Sequence, residues 1–218
     1  MSERPTIAVL ISGSGSNLQA IIDASERREI PCRVGIVISN KADAYGLSRA
    51  RKHGIPTEVV DHKGFATREE FDARLVEVIR ESGADLVCLA GFMRILTPVI
   101  IRAFPNRILN IHPALLPSFP GTHGPGQALA YGVRFSGCTV HFLDEGVDTG
   151  PIIVQAIVPV YDDDTEDTLA ARILAQEHRI YPMAIRLFFS GRLAFEGRKV
   201  KVREEPKIPE FFHRNPDA

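Results

Sequence analysis

Short apolar runs rich in β-branched residues alternate with longer amphipathic stretches along most of this chain, and this alternation limits the folds that it can adopt. Apolar runs without polar alternation are typical of strands covered on both faces, and intervening amphipathic stretches are typical of helices that connect parallel strands. The predicted strands are 6–11, 34–39, 56–61, 85–90, 107–112, 138–143 and 151–160. The pattern therefore predicts an α/β fold with a mostly parallel sheet.

Helices are predicted between these strands from periodicity and end signals. One follows the turn at 12–17 and continues to about residue 28, one lies near 44–53, one begins at a Thr67/Glu70 capping box and stops at Gly83, and a long one covers about 165–190. Segment 113–126 is rich in Pro and Gly and is predicted as a long loop, which in a compact domain is usually functional.

Together these elements predict a three-layer, Rossmann-like architecture in which helices cover both faces of a twisted, mostly parallel sheet that ends in an antiparallel extension. We expect one domain over 1–195, with an N-terminal half over about 1–105 and a C-terminal half over about 106–195. An edge hairpin and a tail are expected over 196–218.

Charge and cysteine usage narrow the possible classes of function. The 218 residues include 26 Lys and Arg against 27 Asp and Glu, a net charge of −1, so a nucleic-acid partner is not expected. Cys32, Cys88 and Cys138 are widely separated and two lie in apolar runs, which predicts reduced, buried thiols and a cytoplasmic protein. No run approaches the ~20 apolar residues of a membrane span, so no membrane partner is expected.

The glycine-rich turn at 12–17 (SGSGSN) joins the first strand to the first helix, where backbone N–H groups and the helix dipole favour an anion. It lacks the dinucleotide fingerprint, because Leu18 stands where a third glycine is required and the second strand ends in Ser39, Asn40 and Lys41 without a ribose-binding acid. A phosphate monoester fits better, with Ser16 and Asn17 as side-chain donors; an ordinary capped turn is the alternative.

Polar side chains end one predicted buried strand. Asn110 and His112 are two residues apart at its carboxyl end, so their side chains point to the same side, at the sheet edge where open α/β folds bind ligands. Asp148 lies in a glycine-rich turn and is a third candidate, although each of these residues taken alone is also compatible with a structural role.

Glu177 falls on the apolar stripe of the long helix, together with Leu169, Ile173, Ile180 and Ala184. A carboxylate in that position needs a partner. His123, in the Pro/Gly-rich segment, is expected near the site without an assigned role, and His141 is interpreted as a structural histidine within a strand.

Five segments, in order along the chain, resemble the glycinamide ribonucleotide formyltransferases, a folate-dependent family of de novo purine (IMP) synthesis. They are LISGSGSNLQAI (10–21), SNKADAYGLSRA (39–50), LAGFMRIL (89–96), LNIHPALLPSFPG (109–121) and HFLDEGVDTGPII (141–153). The resemblance implies the formyltransferase fold, transfer of a formyl group from the co-substrate 10-formyltetrahydrofolate to the amine of glycinamide ribonucleotide, and one-carbon metabolism in the cytoplasm. It also implies a cis Leu116–Pro117 peptide bond.

Roles for individual residues follow from the same resemblance. It implies that Asn110 stabilises the oxyanion, that His112 shuttles the proton and that Asp148 orients the imidazole and favours its charged form. Asp148 matches the family pattern of an acid followed by two residues and proline, which Asp144 does not. Ribonucleotide binding is implied for Gly15, Ser16, Asn17 and Glu177, which places phosphate binding in the N-terminal half. Folate binding is implied for Arg68, Met93, Arg94, Ile95, Leu96, Asp144, Glu145, Gly146 and Val147. The half over about 106–195 is expected to be the catalytic and folate-binding half.

Three alternatives stay open. Formyltetrahydrofolate deformylase shares the Asn/His/Asp set but uses water and usually has an N-terminal regulatory domain, whereas the first strand here starts by residue 6. Methionyl-tRNA formyltransferase normally adds an RNA-binding domain and a basic surface. A non-catalytic phosphosugar or folate binding module is the third. The expected partners are small molecules alone, and the expected assembly is a monomer or homodimer. Because no His, Cys and Asp residues have the spacing of a zinc site, no metal is expected.

Overall fold

The computed structural model describes residues 4–203, in which two compact units meet between Asn110 and Ile111 along the chain. This division lies near the boundary expected at about residue 105. The roles assigned to the two halves, and their grouping as one domain over 1–195, stay predictions.

Parallel strands form the core of the first unit. They are β1 (Thr6–Ile11), β2 (Arg33–Ser39), β3 (Thr57–Val59), β4 (Leu86–Leu89) and β5 (Ile108–His112), whose last two residues enter the second unit. Their order is β3-β2-β1-β4-β5, and every neighbouring pair is parallel. All residues of β1 are buried, as the unbroken apolar run predicts.

Four helices connect these strands: α1 (Ser16–Glu26), α2 (Tyr45–Lys52), α3 (Arg68–Glu81) and α4 (Pro98–Ala103), with a single 3₁₀ turn at His62–Gly64. The predicted cap of α3 is present, because Thr67 Oγ1 accepts from the Glu70 N–H at 3.1 Å. The Glu70 carboxylate accepts from the N–H of Ala66, one residue before the cap, at 3.0 Å. Gly83, at φ 66°, follows the helix end, which agrees with the predicted stop signal.

The second unit continues with α5 (Gly124–Tyr131), β6 (Phe135–Phe142), β7 (Ile152–Pro159) and α6 (Glu166–Phe189). Strands β6 and β7 are antiparallel. A separate antiparallel hairpin, β8 (Leu193–Glu196) and β9 (Lys199–Val202), follows. The predicted α/β class, with a mostly parallel sheet and an antiparallel C-terminal part, is confirmed. The hairpin starts before residue 196, and the predicted tail over 204–218 lies outside the described residues.

The prediction of a continuous loop over 113–126 is wrong at its C-terminal end, because α5 begins at Gly124. Pro125 occupies the first helical turn, where its missing N–H removes no intrahelical bond. His123 precedes the helix in a left-handed conformation, with φ 61°. Proline therefore marks a helix start here. The Leu116–Pro117 peptide bond is cis, as the resemblance implies.

Cys32, Cys88 and Cys138 are buried and unbridged, which confirms the prediction of core thiols. Burial raises the pKa of the Cys32 thiol to about 12 and that of Cys138 well above its ordinary value. Both therefore hold their proton at neutral pH. Within residues 4–203, every helix is too short or too polar to cross a membrane.

Asp72 is a buried carboxylate in α3, with 1% of its surface exposed. One of its oxygens, Oδ2, accepts from the Thr97 N–H, and Thr97 in turn caps α4. Burial raises the pKa of Asp72, since removal from water disfavours the charged form, while the Thr97 hydrogen bonds lower it by less. The native state thus holds the Asp72 proton more tightly than the unfolded chain.

We expect Asp72→Ala to lower the free energy of unfolding by about 1–3 kcal/mol, because the Thr97 N–H loses its acceptor. Asp72→Asn keeps that acceptor and is the matched control. Because the folded-state pKa is raised, wild-type Asp72 contributes stability below about pH 4 that is lost as the pH rises through the folded pKa. Urea unfolding across this range should therefore show wild type losing stability relative to Asp72→Asn with rising pH. The opposite trend would contradict the assignment.

Candidate active site

The glycine turn at 12–17 requires glycine at Gly15, where it meets Gly46 of α2. Gly15 precedes α1 with φ 70°, and a Cβ there would lie 2.6 Å from the Cα of Gly46. The Gly46 N–H donates to Gly13 O at 3.0 Å, so the N-terminal part of α2 packs directly on the turn. This approach of two backbones fixes the turn and explains why glycine stands at both contact points.

The start of α1 has the features that favour an anion. Its first turn holds no acidic residue and no side chain caps it. Ser16 is half-buried and Asn17 is buried. Arg49 of α2 was not predicted here; its Nε donates to Ser14 O at 2.9 Å, and its guanidinium lies over the Tyr45 ring. The structure thus adds a cation beside the turn.

The segment proposed for folate follows β4. Met93 and Ile95 are exposed, Arg94 is half-buried and Leu96 is buried. Met93 and Ile95 thus present two large apolar side chains to solvent on one short segment. Arg68, the first residue of α3, is exposed.

His112 is held by groups at both of its ring nitrogens. It ends β5 and is 3% exposed. Its Nε2 lies 2.8 Å from the carbonyl oxygen of Phe119, which has φ 55°. Its Nδ1 lies 3.4 Å from Oδ2 of Asp148. A carbonyl only accepts, so Nε2 carries a hydrogen and Nδ1 is the nitrogen left for proton exchange.

Asp148 stands between two histidines. Its Oδ2 accepts from the Gly121 N–H at 2.8 Å and faces His112, and its Oδ1 lies 3.7 Å from Nε2 of His141. Burial alone would raise the pKa of Asp148, but the hydrogen bonds from His141 and Gly121 and the two imidazole charges outweigh it and lower the pKa. The carboxylate is therefore ionised at neutral pH.

His141 was predicted to be structural, and its contact with Asp148 was missed. It is 1% exposed on β6, and its Nδ1 lies 2.9 Å from the carbonyl oxygen of Phe142. This leaves Nε2 directed at the carboxylate of Asp148. A histidine on an inward strand position three residues before the turn was the only sequence signal for it.

In the turn at 144–150, the carboxylates of Asp144 and Asp148 make different contacts. Asp144 Oδ1 accepts from the Gly146 N–H at 3.1 Å and from Thr149 Oγ1 at 2.6 Å, so this carboxylate holds the turn itself. A Cβ at Gly150 would lie 1.8 Å from the carbonyl oxygen of Phe142, which makes glycine necessary there. Glu145, Gly146 and Val147 are exposed at the tip.

The other predicted residues lie as follows. Asn110, also on β5, is half-buried and is the last residue of the first unit. Glu177 is buried at 6% exposure on α6, so its predicted inward position is confirmed, while its role stays a prediction. His123 is exposed, with Nδ1 3.6 Å from a Glu166 carboxylate oxygen. In the part of the chain that the structure describes, no three His, Cys, Asp or Glu side chains are placed to hold a metal ion.

Comparison with known proteins identifies a family. The formyl transferase family model matches residues 5–185. Phosphoribosylglycinamide formyltransferase of Escherichia coli is 51% identical over 187 residues, which cover 86% of this chain and 88% of that protein. The trifunctional purine biosynthetic protein adenosine-3 of Drosophila melanogaster is 52% identical over 190 residues, but the match covers 86% of this chain and only 14% of that protein.

Solved structures agree. Glycinamide ribonucleotide transformylase 1 from Symbiobacterium toebii superposes with a TM-score of 0.92 at 55% identity, covering 94% of this chain and 96% of that one. The phosphoribosylglycinamide formyltransferase structure from Anaplasma phagocytophilum gives a TM-score of 0.87 at 41% identity, covering 94% and 98%. With a family match over residues 5–185 and an Escherichia coli relative that is 51% identical and matched over 88% of its length, this chain belongs to the formyl transferase family.

Proposed function

We propose that this chain transfers the formyl group of 10-formyltetrahydrofolate to the amine of glycinamide ribonucleotide, a step of purine synthesis. The Escherichia coli relative bears the name of that activity and is matched over 88% of its length. The observation that carries the proposal is the buried His112 imidazole, held between the Phe119 carbonyl and the Asp148 carboxylate. Because Nε2 donates to that carbonyl, the proposed proton exchange falls to Nδ1, which lies beside the Asp148 carboxylate.

The chemistry needs no protein nucleophile. The substrate amine attacks the formyl carbon, and the carbonyl oxygen gains negative charge in a tetrahedral intermediate. An N–H of the Asn110 amide is suited to stabilise that oxyanion. The bond between the formyl carbon and folate N10 then breaks, which gives formylglycinamide ribonucleotide and tetrahydrofolate.

The proton transfers of this reaction define the proposed roles of His112 and Asp148. One proton leaves the attacking amine and one reaches folate N10, so no proton is consumed overall. Nδ1 of His112 is the proposed carrier, and the ionised Asp148 stabilises the imidazole while it holds the proton. Phe119 supports the role of His112 through its carbonyl, which fixes the hydrogen of Nε2.

Substrate contacts are proposed on the same basis. The uncapped start of α1, with Gly15, Ser16 and Asn17, would hold the ribonucleotide phosphate, and Arg49 adds a nearby cation. The buried Glu177 carboxylate would meet the ribonucleotide. Folate is assigned to Arg68, to the segment Met93, Arg94, Ile95 and Leu96, and to the turn Asp144, Glu145, Gly146 and Val147. We further propose a cytoplasmic protein that acts on these small molecules, as a monomer or homodimer.

The decisive assay measures whether folate turnover depends on the second substrate. The protein is incubated with 10-formyltetrahydrofolate with and without glycinamide ribonucleotide, and both tetrahydrofolate and the formylated ribonucleotide are quantified by mass spectrometry. We expect equimolar products, formed only when the ribonucleotide is present. Tetrahydrofolate and formate produced without it would instead identify a deformylase, and binding without turnover would identify a binding module.

A further inference from the structure

Ser12 connects the glycine turn to the segment after β4 by two hydrogen bonds. Its backbone N–H donates to Gly91 O at 3.1 Å, and its Oγ accepts from the Met93 N–H at 2.8 Å. Ser12 directly follows β1 and directly precedes Gly13. One buried residue thus fixes the starts of two segments that the proposed function assigns to different substrates.

The hydroxyl of Ser12 is held in one orientation by a second buried side chain. Its Oγ donates to Oδ1 of Asn40 at 2.6 Å. Ser12 is 5% exposed and Asn40 is 2% exposed. The amide nitrogen of Asn40 lies 3.3 Å from Nδ1 of His62, which limits rotation of the amide. Because the single hydroxyl hydrogen is committed to Asn40, the oxygen lone pairs face the Met93 N–H.

We propose that Ser12 is a positioning residue that couples the two substrate sites, so that binding of the ribonucleotide at 13–17 increases the affinity of the segment at 93–96 for folate. This inference rests on the proposed function. An anion bound at the glycine turn contacts the backbone that directly follows Ser12, and the Ser12 hydroxyl holds the backbone N–H of Met93. Coupling of this kind is reciprocal, so folate must increase the affinity for the ribonucleotide by the same factor.

The structure offers a variant and a matched control on neighbouring strands. Ser12→Ala removes the acceptor of the Met93 N–H and the donor to Asn40. Ser39→Ala, at the end of β2, also removes a buried hydroxyl, which donates to the Lys41 carbonyl and accepts from the Lys41 N–H. Ser12→Cys keeps the side-chain volume but substitutes a weak hydrogen-bonding group, and it replaces Ser12→Ala if that variant does not fold.

The test measures coupling directly. Tetrahydrofolate lacks the formyl group, so it forms a non-reacting complex with glycinamide ribonucleotide, and its Kd is measured by calorimetry with and without saturating ribonucleotide. We expect the ribonucleotide to lower the Kd in wild type and in Ser39→Ala by about tenfold, a typical coupling. In Ser12→Ala the factor should fall towards one. The KM for 10-formyltetrahydrofolate should rise about tenfold in Ser12→Ala, with kcat changed little.

An unchanged coupling factor in Ser12→Ala, or no coupling in wild type, overturns the inference while leaving the proposed function intact. An equal loss in Ser39→Ala also overturns it, because the effect would then come from general loosening of the sheet edge. If wild type binds neither ligand, the proposed function itself is wrong and the inference fails with it.

Discussion

His112→Ala is expected to lower kcat by about 10³-fold, the usual contribution of general acid-base catalysis. The variant removes Nδ1, the proposed proton carrier, and leaves the Phe119 carbonyl and the Asp148 carboxylate without their imidazole partner. Binding of both substrates should change by less than about tenfold, because the groups assigned to the phosphate and to folate are untouched. Single-turnover kinetics separates the chemical step from binding.

His53→Ala is the matched control. His53 also faces a carboxylate, with Nδ1 2.6 Å from Glu26 Oε1, but it lies at the end of α2 and has no proposed part in the reaction. It should retain wild-type kcat. Loss of ligand binding in His112→Ala, with kcat per bound complex preserved, would show that His112 is structural.

The parts of the fold that local sequence determines were predicted well. β1 coincides with the apolar run at 6–11, and α3 begins after Thr67, the predicted cap. These elements carry their own signals, since burial on both faces needs continuous apolar residues and an N-cap needs a side-chain oxygen. By contrast, α4 was not predicted, because it has only six residues in an apolar stretch. Periodicity cannot distinguish so short a helix from a strand or loop.

Sequence could propose the residues of the candidate site but not the contacts that they make. Asn110, His112 and Asp148 were identified from strand position and resemblance. The Phe119 carbonyl that meets Nε2 of His112 belongs to the backbone, and its position depends on the left-handed conformation of Phe119, a residue that is not glycine. His141 and Ser12 contact partners that are distant in sequence. Such contacts follow from tertiary packing and leave no periodic signal.

Asp148→Asn is expected to lower kcat by about 10²–10³-fold without disturbing the turn. Asp148 has φ 53°, a left-handed conformation that asparagine also tolerates, whereas alanine would be strained there. The new amide can still accept from the Gly121 N–H through its oxygen. Its uncharged NH₂ group cannot stabilise a protonated His112, so the proposed proton carrier loses its counter-charge.

The difference in free energy of unfolding between wild type and Asp148→Asn should decrease as the pH falls. The pKa of Asp148 is lowered in the folded state, so its ionised form contributes stability that is present above the unfolded pKa, near 4, and lost as the pH falls through the folded value. Denaturant unfolding should therefore give wild type an advantage over Asp148→Asn at neutral pH of about 1–2 kcal/mol. That advantage should shrink on acidification. An advantage independent of pH would mean that the carboxylate charge contributes nothing between His112 and His141, and the proposed electrostatic role of Asp148 would have to be abandoned.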